Sequence, residues 1–121
     1  MGKKVAVIDD NREFLDFVKS VLEPEGYQVI PILGSLRARE IVKESAPDLV
    51  LLDIMMPGRS GWELLDILKL DPATQEIPII VITAMKAFTA RVQRDKIRDV
   101  LRKPFDIDVL VEKVRVAIGD P

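Results

Sequence analysis

Short runs of Val, Ile and Leu alternate along the chain with segments whose apolar residues recur at helical spacing. The runs predict five β-strands, at residues 4–8, 27–32, 49–52, 77–82 and 100–101. Pro31 lies within the second run and predicts an edge strand, because proline cannot donate a hydrogen bond to a sheet. The third and fourth runs are apolar throughout, which is typical of strands buried on both faces of a parallel sheet.

The segments between the runs predict five helices, at residues 12–22, 35–45, 60–70 and 85–95 and after Asp106, the expected cap of the last helix. Ser60 and Glu63 have the spacing of a capping box at the start of the third helix. Strands that alternate with helices in this way predict a doubly wound parallel sheet, because parallel neighbours need a crossover. No linker divides the chain, so we expect one α/β domain over residues 1–121.

Composition limits the classes of function. With 48% hydrophobic residues in 121, the chain can fill a single core, and a net charge of -2 gives no reason to expect direct binding to nucleic acid. No run approaches the roughly 18 to 20 apolar residues of a membrane helix, and no signal peptide precedes the first strand, so we expect a cytoplasmic protein without a membrane anchor. Neither Cys nor His is present, which leaves carboxylate, hydroxyl and amine chemistry.

Polar side chains follow four of the predicted strands: Asp9 and Asp10 the first, Asp53 the third, Thr83 the fourth and Lys103 the fifth. The carboxyl ends of parallel strands share one edge of the sheet, so we expect these side chains to meet there. Three clustered carboxylates repel one another unless a cation joins them, and oxygen ligands with room for water suit Mg²⁺. A metal, a hydroxyl and an ammonium near a carboxylate are what a transferring phosphoryl group requires, which predicts an aspartyl-phosphate site.

Simpler roles are open for some of these residues. A single Asp after a strand is most often a helix cap, but the helix that follows Asp53 is predicted to begin only near Ser60. Asp9 and Asn11 could cap the first helix, a role compatible with metal binding at Asp9. Asp53 therefore remains the candidate nucleophile.

The motifs that carry these residues resemble those of the receiver domain of bacterial-type response regulators, over the whole chain. The matching motifs are Asp9-Asp10, the segment Asp53-Ile54-Met55-Met56-Pro57 with Gly61 beyond it, Thr83-Ala84, and Lys103-Pro104-Phe105. Each is common by chance, but the ordered set, with each member at a strand end, is specific. The resemblance implies a flavodoxin-like fold with strand order 2-1-3-4-5 and five helices.

The resemblance also implies a function in two-component or phosphorelay signal transduction. Asp53 would accept a phosphoryl group from a phosphohistidine of a histidine kinase or histidine phosphotransfer protein, in a reaction that requires Mg²⁺ or Mn²⁺. The protein would then be a switch that catalyses only its own phosphorylation and dephosphorylation, and not a conventional enzyme. As a receiver it would be a monomer or a homodimer formed on phosphorylation.

The resemblance assigns roles to individual residues. Asp10 and Asp53 would bind the metal through their side chains and Met55 through its backbone carbonyl, while Asp9 would act through a metal-bound water. The phosphoryl oxygens would be contacted by three groups, the Thr83 hydroxyl, the Lys103 ammonium and the backbone amide of Ala84. The bond between Lys103 and Pro104 becomes a candidate for the cis form, which is otherwise a minority state before proline.

The chain departs from the family pattern between the fourth strand and Lys103. Val100 stands where the family usually carries Tyr or Phe, the familiar Gly-Ala before the fifth strand is missing, and the stretch is slightly short. Val100 puts conventional aromatic switching in doubt, and the length of the stretch predicts a shortened or irregular fourth helix. The alternative function is a pseudo-receiver, an interaction or dimerisation module that recognises its partner without phosphorylation.

The same stretch is basic. Residues 86–103 hold two acidic residues, Asp95 and Asp99, against seven basic ones, Lys86, Arg91, Arg94, Lys96, Arg98, Arg102 and Lys103. A solvated helical face plus one active-site lysine explains this pattern. The other interpretation is a docking face for an output partner that is acidic, or for a second copy of the chain.

Two other classes of protein fit less well. A phosphatase of the haloacid-dehalogenase type would carry a second acid two residues after its nucleophile, where Met55 stands. A flavin-binding protein is disfavoured because the loop after the first strand, Asp9-Asp10-Asn11, is acidic and would repel a phosphate group.

Overall fold

A five-stranded parallel sheet forms the centre of the computed structural model, which describes residues 2–56, 61–84 and 96–121. The strands are β1 (Lys4–Asp9), β2 (Gln28–Leu33), β3 (Leu49–Asp53), β4 (Ile79–Thr83) and β5 (Asp99–Arg102). Their order is β2-β1-β3-β4-β5, and every neighbouring pair is parallel. The predicted sheet and strand order are confirmed. Strand β2 lies at an edge, with Pro31 opposite Val7, as its proline predicted.

The described residues contain four α-helices, α1 (Arg12–Leu22), α2 (Ala38–Ser45), α3 (Gly61–Leu70) and α4 (Ile107–Ile118). The helix predicted at residues 85–95 lies outside the described residues, as does Ser60 of the predicted capping box. Helix α2 begins later than predicted because Gly34, at φ 76°, and a turn closed by the Ala38 amide on the Ser35 carbonyl precede it. Among the described ranges, each helix is too short or too polar to cross a bilayer.

Both faces of the sheet are buried. On one face α1 and α4 cover a core that contains Val5, Val7, Leu51 and Ile80; on the other, α2 and α3 cover Ala6, Ile8, Val50 and Leu52. This alternation along β1 and β3 is the two-residue period of a strand with an apolar layer on each side. Because helices cover both faces of the sheet, its polar side chains can reach water at the ends of the strands.

Two cap predictions have different outcomes. Asn11 caps α1 as expected, because its Oδ1 accepts hydrogen bonds from the amides of Glu13, at 2.9 Å, and Phe14, at 3.3 Å. Asp106 occupies the N-cap position of α4, but its carboxylate makes no capping bond, which corrects the prediction. Its backbone carbonyl instead accepts from the amides of Val109 and Leu110, the ordinary first bonds of a helix.

Candidate functional site

Three carboxylates meet at the carboxyl edge of the sheet. Asp9 ends β1, Asp10 follows it, and Asp53 ends β3, which pairs with β1 through Ile8 and Leu52. One oxygen from each carboxylate lies within 4.8 Å of the other two. Asp9 is 0% exposed and Asp53 5%, whereas Asp10 is open to solvent. The cluster therefore has two buried acids at its base and one acid on its open side.

Each buried carboxylate is fixed by a backbone amide two residues further along. The Asn11 amide donates to Asp9 Oδ1 at 2.9 Å, and the Met55 amide donates to Asp53 Oδ1 at 2.9 Å. The second oxygen of each faces the same cation, since Lys103 Nζ lies 3.1 Å from Asp9 Oδ2 and 3.9 Å from Asp53 Oδ2. The ammonium thus offsets part of the repulsion between the two acids.

Strand pairing brings Thr83 and Lys103 to the same edge. Thr83 ends β4 opposite Arg102 of β5, and the Lys103 amide donates to the Thr83 carbonyl at 2.8 Å. Thr83 is buried, and Ala84, which follows it, is exposed. The bond between Lys103 and Pro104 is cis, as the resemblance implied. All four strand ends named from the sequence therefore lie along one edge.

Helix α3 packs closely against the segment after Asp53. A methyl group on Gly61 would lie 2.3 Å from the Ile54 Cα and 2.7 Å from the Asp53 carbonyl oxygen, so the backbones could not approach with any larger residue there. The Gly61 amide donates to the Ile54 carbonyl at 3.3 Å. Met55 is 58% exposed. This packing holds the backbone of Asp53 and Ile54, directly before Met55, against α3.

Burial raises the pKa of Asp53 from its ordinary 3.8 to about 6, and the negative charge of Asp9 adds to the rise. The hydrogen bond from the Met55 amide and the charge of Lys103 act in the opposite direction. Asp53 is consequently ionised at neutral pH, and its buried negative charge lowers the free energy of unfolding.

The raised pKa gives a testable dependence of stability on pH. Since the folded-state pKa, about 6, exceeds 3.8, the stability that protonated Asp53 contributes is full below about pH 4 and is lost as the pH rises through about 6. We expect Asp53→Asn to raise the free energy of unfolding of the metal-free protein by about 2 kcal/mol at pH 8, and by much less at pH 4. Urea unfolding in excess chelator measures both values.

The control for this prediction is Asp16→Asn, which alters an exposed carboxylate on α1 and should change stability at neither pH. If the cluster binds Mg²⁺, as the sequence predicts, saturating Mg²⁺ should restore stability to the wild-type protein at pH 8 by neutralising the clustered charges. Equal stability of wild type and Asp53→Asn at pH 8 in chelator would contradict the assigned cost.

The sequence did not single out Phe14 as a site residue. Phe14 lies in α1, and Lys103 Nζ is 4.0 Å from the centre of its ring. Phe105 packs edge-on against the same ring, at 6.0 Å and 84°. The available signal was an aromatic residue in the first turn of the helix that directly follows the acidic pair.

The basic stretch is partly accounted for by contacts within the chain. Lys96 pairs with Asp66 at 2.6 Å, Arg98 donates to the Ala117 carbonyl at 3.3 Å, and Lys103 enters the acidic cluster. Of the other basic residues in the stretch, Arg102 is described, and three lie outside the described residues: Lys86, Arg91 and Arg94. These three residues therefore have partners within the chain.

Val100 lies in β5, three residues before Lys103. Together with Trp62 and Ile97, it is partly buried against the small cluster of Ile54 and Val81. Ile54 directly follows Asp53, so this cluster connects the acid to β5 through apolar contacts.

Comparisons with known proteins agree with the resemblance. A family model described as the response regulator receiver domain matches residues 5–115. The polar-differentiation response regulator DivK of Brucella anthropi is 31% identical over 122 residues, with 99% of each chain covered. The N-terminal domain of a response regulator receiver protein from Methanoculleus marisnigri JR1 superposes with a TM-score of 0.80 at 33% identity, covering 98% of both chains.

A third similarity shows the fold. The receiver domain of a sensor histidine kinase from Pseudomonas aeruginosa PAO1 superposes with a TM-score of 0.88 at 22% identity, covering 99% of this chain and 100% of the other. In that protein a magnesium ion is coordinated in the active site cleft.

Proposed function

The chain belongs to the response regulator receiver domain family of two-component signalling, and on that premise we propose that residues 1–121 form a receiver domain in which Asp53 accepts a phosphoryl group. The donor would be a phosphohistidine of a histidine kinase or histidine phosphotransfer protein, in the cytoplasm. One observation carries this proposal: Asp9, Asp10 and Asp53 lie within 4.8 Å of one another beside the ammonium of Lys103.

The acid cluster fits a hard divalent cation. All its ligand atoms are carboxylate oxygens, and Asp10 leaves the outer side open to water, which suits Mg²⁺ or Mn²⁺ better than a softer metal. We propose that Asp10, Asp53 and the Met55 carbonyl hold the ion, with Asp9 acting through a bound water. When bound, the ion would supply positive charge for the phosphoryl oxygens and for the acids.

Within this proposal, Asp53 Oδ2 is the attacking oxygen, because Oδ1 is occupied by the Met55 amide. The new oxygen–phosphorus bond would form as the nitrogen–phosphorus bond of the donor breaks, and the imidazole would keep the electron pair and take a proton from water. The ammonium of Lys103 would shift from Asp9 to a phosphoryl oxygen. Thr83 and the Ala84 amide would donate to the other oxygens.

The test of this function is labelling by a small phosphoryl donor. Acetyl phosphate with Mg²⁺ should add one phosphoryl group per chain, read by intact-protein mass spectrometry. Excess chelator should prevent the gain, since three neighbouring carboxylates would otherwise repel the incoming group. Absence of any gain at saturating donor and Mg²⁺ would favour the pseudo-receiver.

The pseudo-receiver is the second candidate, and Val100 is the observation that favours it. An aliphatic side chain at this position packs against Ile54 and Val81, so the aromatic movement of the family is not available to it. As a pseudo-receiver, the chain would bind its output partner constitutively, as an interaction or dimerisation module. As a phosphoacceptor, it would bind a partner or form a homodimer after phosphorylation.

Fluorescence of Trp62 tests whether occupancy of Asp53 is transmitted towards β5, as the first candidate requires. Trp62 is the one tryptophan in the chain, and it packs against the cluster of Ile54 and Val81 that Val100 also contacts. If occupancy of Asp53 is transmitted towards β5, the phosphorylated protein should differ from the Mg²⁺-bound protein in emission intensity or wavelength. Identical spectra in a fully labelled sample would mean that this cluster does not respond. Asp53→Asn with donor and Mg²⁺ is the control.

A further inference from the structure

The contact between Lys103 and Phe14 assigns a role to an aromatic ring outside the acid cluster. The ammonium lies 4.0 Å from the ring centre while it also lies 3.1 Å from Asp9 Oδ2. At this distance the negative face of the ring attracts the cation. One ammonium is thus held by a carboxylate and by an aromatic face together.

The ring itself is fixed by its neighbours. Phe105 meets it edge-on at 6.0 Å and 84°, and Phe17 of the same helix lies 6.3 Å from both rings. Phe105 is two residues from Lys103, so Phe14 contacts both ends of the segment Lys103-Pro104-Phe105. An aromatic cluster packed in this way holds the ring in one orientation.

The two holding contacts differ in how they respond to movement. A bond from an ammonium to a carboxylate oxygen is short and directional, whereas attraction to a ring face falls off gradually over several ångströms. Lys103 can therefore leave Asp9 for a nearby phosphoryl oxygen and keep most of its attraction to the ring. The side chain of Lys103 is 27% exposed, so without the ring its four-carbon stem would have more freedom to turn into water.

We propose that Phe14 is a positioning residue for Lys103, which keeps the ammonium over the acid cluster during phosphoryl transfer. This inference rests on the proposed phosphoacceptor function. It predicts that the transfer rate depends on the electron density of the ring at position 14 as well as on its size.

Graded fluorination of the ring tests this prediction. Mono-, di- and trifluorinated phenylalanine, placed at position 14 by nonsense suppression, keep nearly the same shape and progressively weaken the negative face. The maximal rate of labelling by acetyl phosphate should fall steadily along the series, to about two- to fivefold below wild type. The affinity for Mg²⁺, measured by calorimetry, should not change.

Phe17 provides the matched control. It belongs to the same aromatic cluster and the same helix, but the described cation contact of Lys103 is with Phe14. The fluorinated series at position 17 should leave the labelling rate unchanged. In addition, Phe14→Leu should remove the upfield ring-current shift of the Lys103 side-chain protons in NMR spectra, and Phe17→Leu should retain it.

The outcomes distinguish a failure of the role of Phe14 from a failure of the proposed phosphoacceptor function. A flat series at position 14 in a protein that labels normally would overturn the role of Phe14 and leave the phosphoacceptor function intact. Equal slopes at positions 14 and 17 would assign the effect to general packing and would also overturn it. Failure of the wild type to label would overturn both.

Discussion

Asp53→Asn is expected to gain no phosphoryl mass from acetyl phosphate and Mg²⁺ under conditions in which the wild type gains one. The amide has nearly the shape of the carboxylate, and its oxygen can still accept the hydrogen bond from the Met55 amide. It lacks the anionic oxygen that attacks phosphorus, so the fold should remain while the nucleophile is lost. Intact-protein mass spectrometry at pH 8 measures the result.

Asp9 and Asp10 are the alternative nucleophiles in the cluster. Asp9 is 0% exposed and its Oδ2 pairs with Lys103 at 3.1 Å, which disfavours it as the point of attack. Borohydride reduction before digestion, which converts an aspartyl phosphate into homoserine, would locate the modified residue in the wild type. Asp16→Asn, on the exposed side of α1, should label like the wild type. Labelling of Asp53→Asn at the wild-type rate would contradict the assignment.

Lys103→Met is expected to slow labelling by about 10²- to 10³-fold while Mg²⁺ still binds. Methionine keeps the apolar stem but removes the charge that contacts Asp9 and Asp53 and that we propose moves to the phosphoryl group. Without this cation, the negative charges of the two buried carboxylates are no longer partly neutralised. The affinity of the cluster for Mg²⁺ should therefore rise. Rates at saturating Mg²⁺ and Mg²⁺ affinity by calorimetry test the two effects separately.

Lys113 allows a closely matched control. It pairs with Asp99 at 2.9 Å, and its side chain is 29% exposed. Lys103 lies 3.1 Å from Asp9 and is 27% exposed, so the two lysines match, although Asp99 is more exposed than Asp9. Lys113→Met removes a similar ion pair on α4 without altering the acid cluster, so labelling should continue at the wild-type rate. Similar slowing in both variants would show that the loss is a general effect of charge.

The elements of the fold were accessible from local sequence. Helix α1 spans Arg12–Leu22, the predicted bounds, because Asn11 caps its start. The chain then tightens into a 3₁₀ turn, Glu23–Glu25, which Gly26 ends in a left-handed conformation. Helix α2 was predicted to begin at residue 35, but the turn after Gly34 delays its start to Ala38. Asp106 was likewise placed correctly as an N-cap, but its side chain makes no capping bond.

The residues of the candidate site followed from a simple rule. Parallel strands end at one edge, so the polar residues after β1, β3, β4 and β5 had to meet once the alternation of strands and helices was recognised. Their partners did not follow from it. The resemblance connected Lys103 with phosphoryl oxygens, and the structure shows its ammonium 3.1 Å from Asp9 Oδ2.

The sequence by itself determined the order of elements, the parallel sheet and the set of polar residues at its carboxyl edge, because these depend on the spacing of apolar residues and on where each run ends. Tertiary structure alone decided which buried acid takes the ammonium, how far burial raises the pKa of Asp53, and that Phe14 lies against Lys103. Those properties depend on distances between side chains far apart in the chain and on their exclusion from water, which local patterns do not encode.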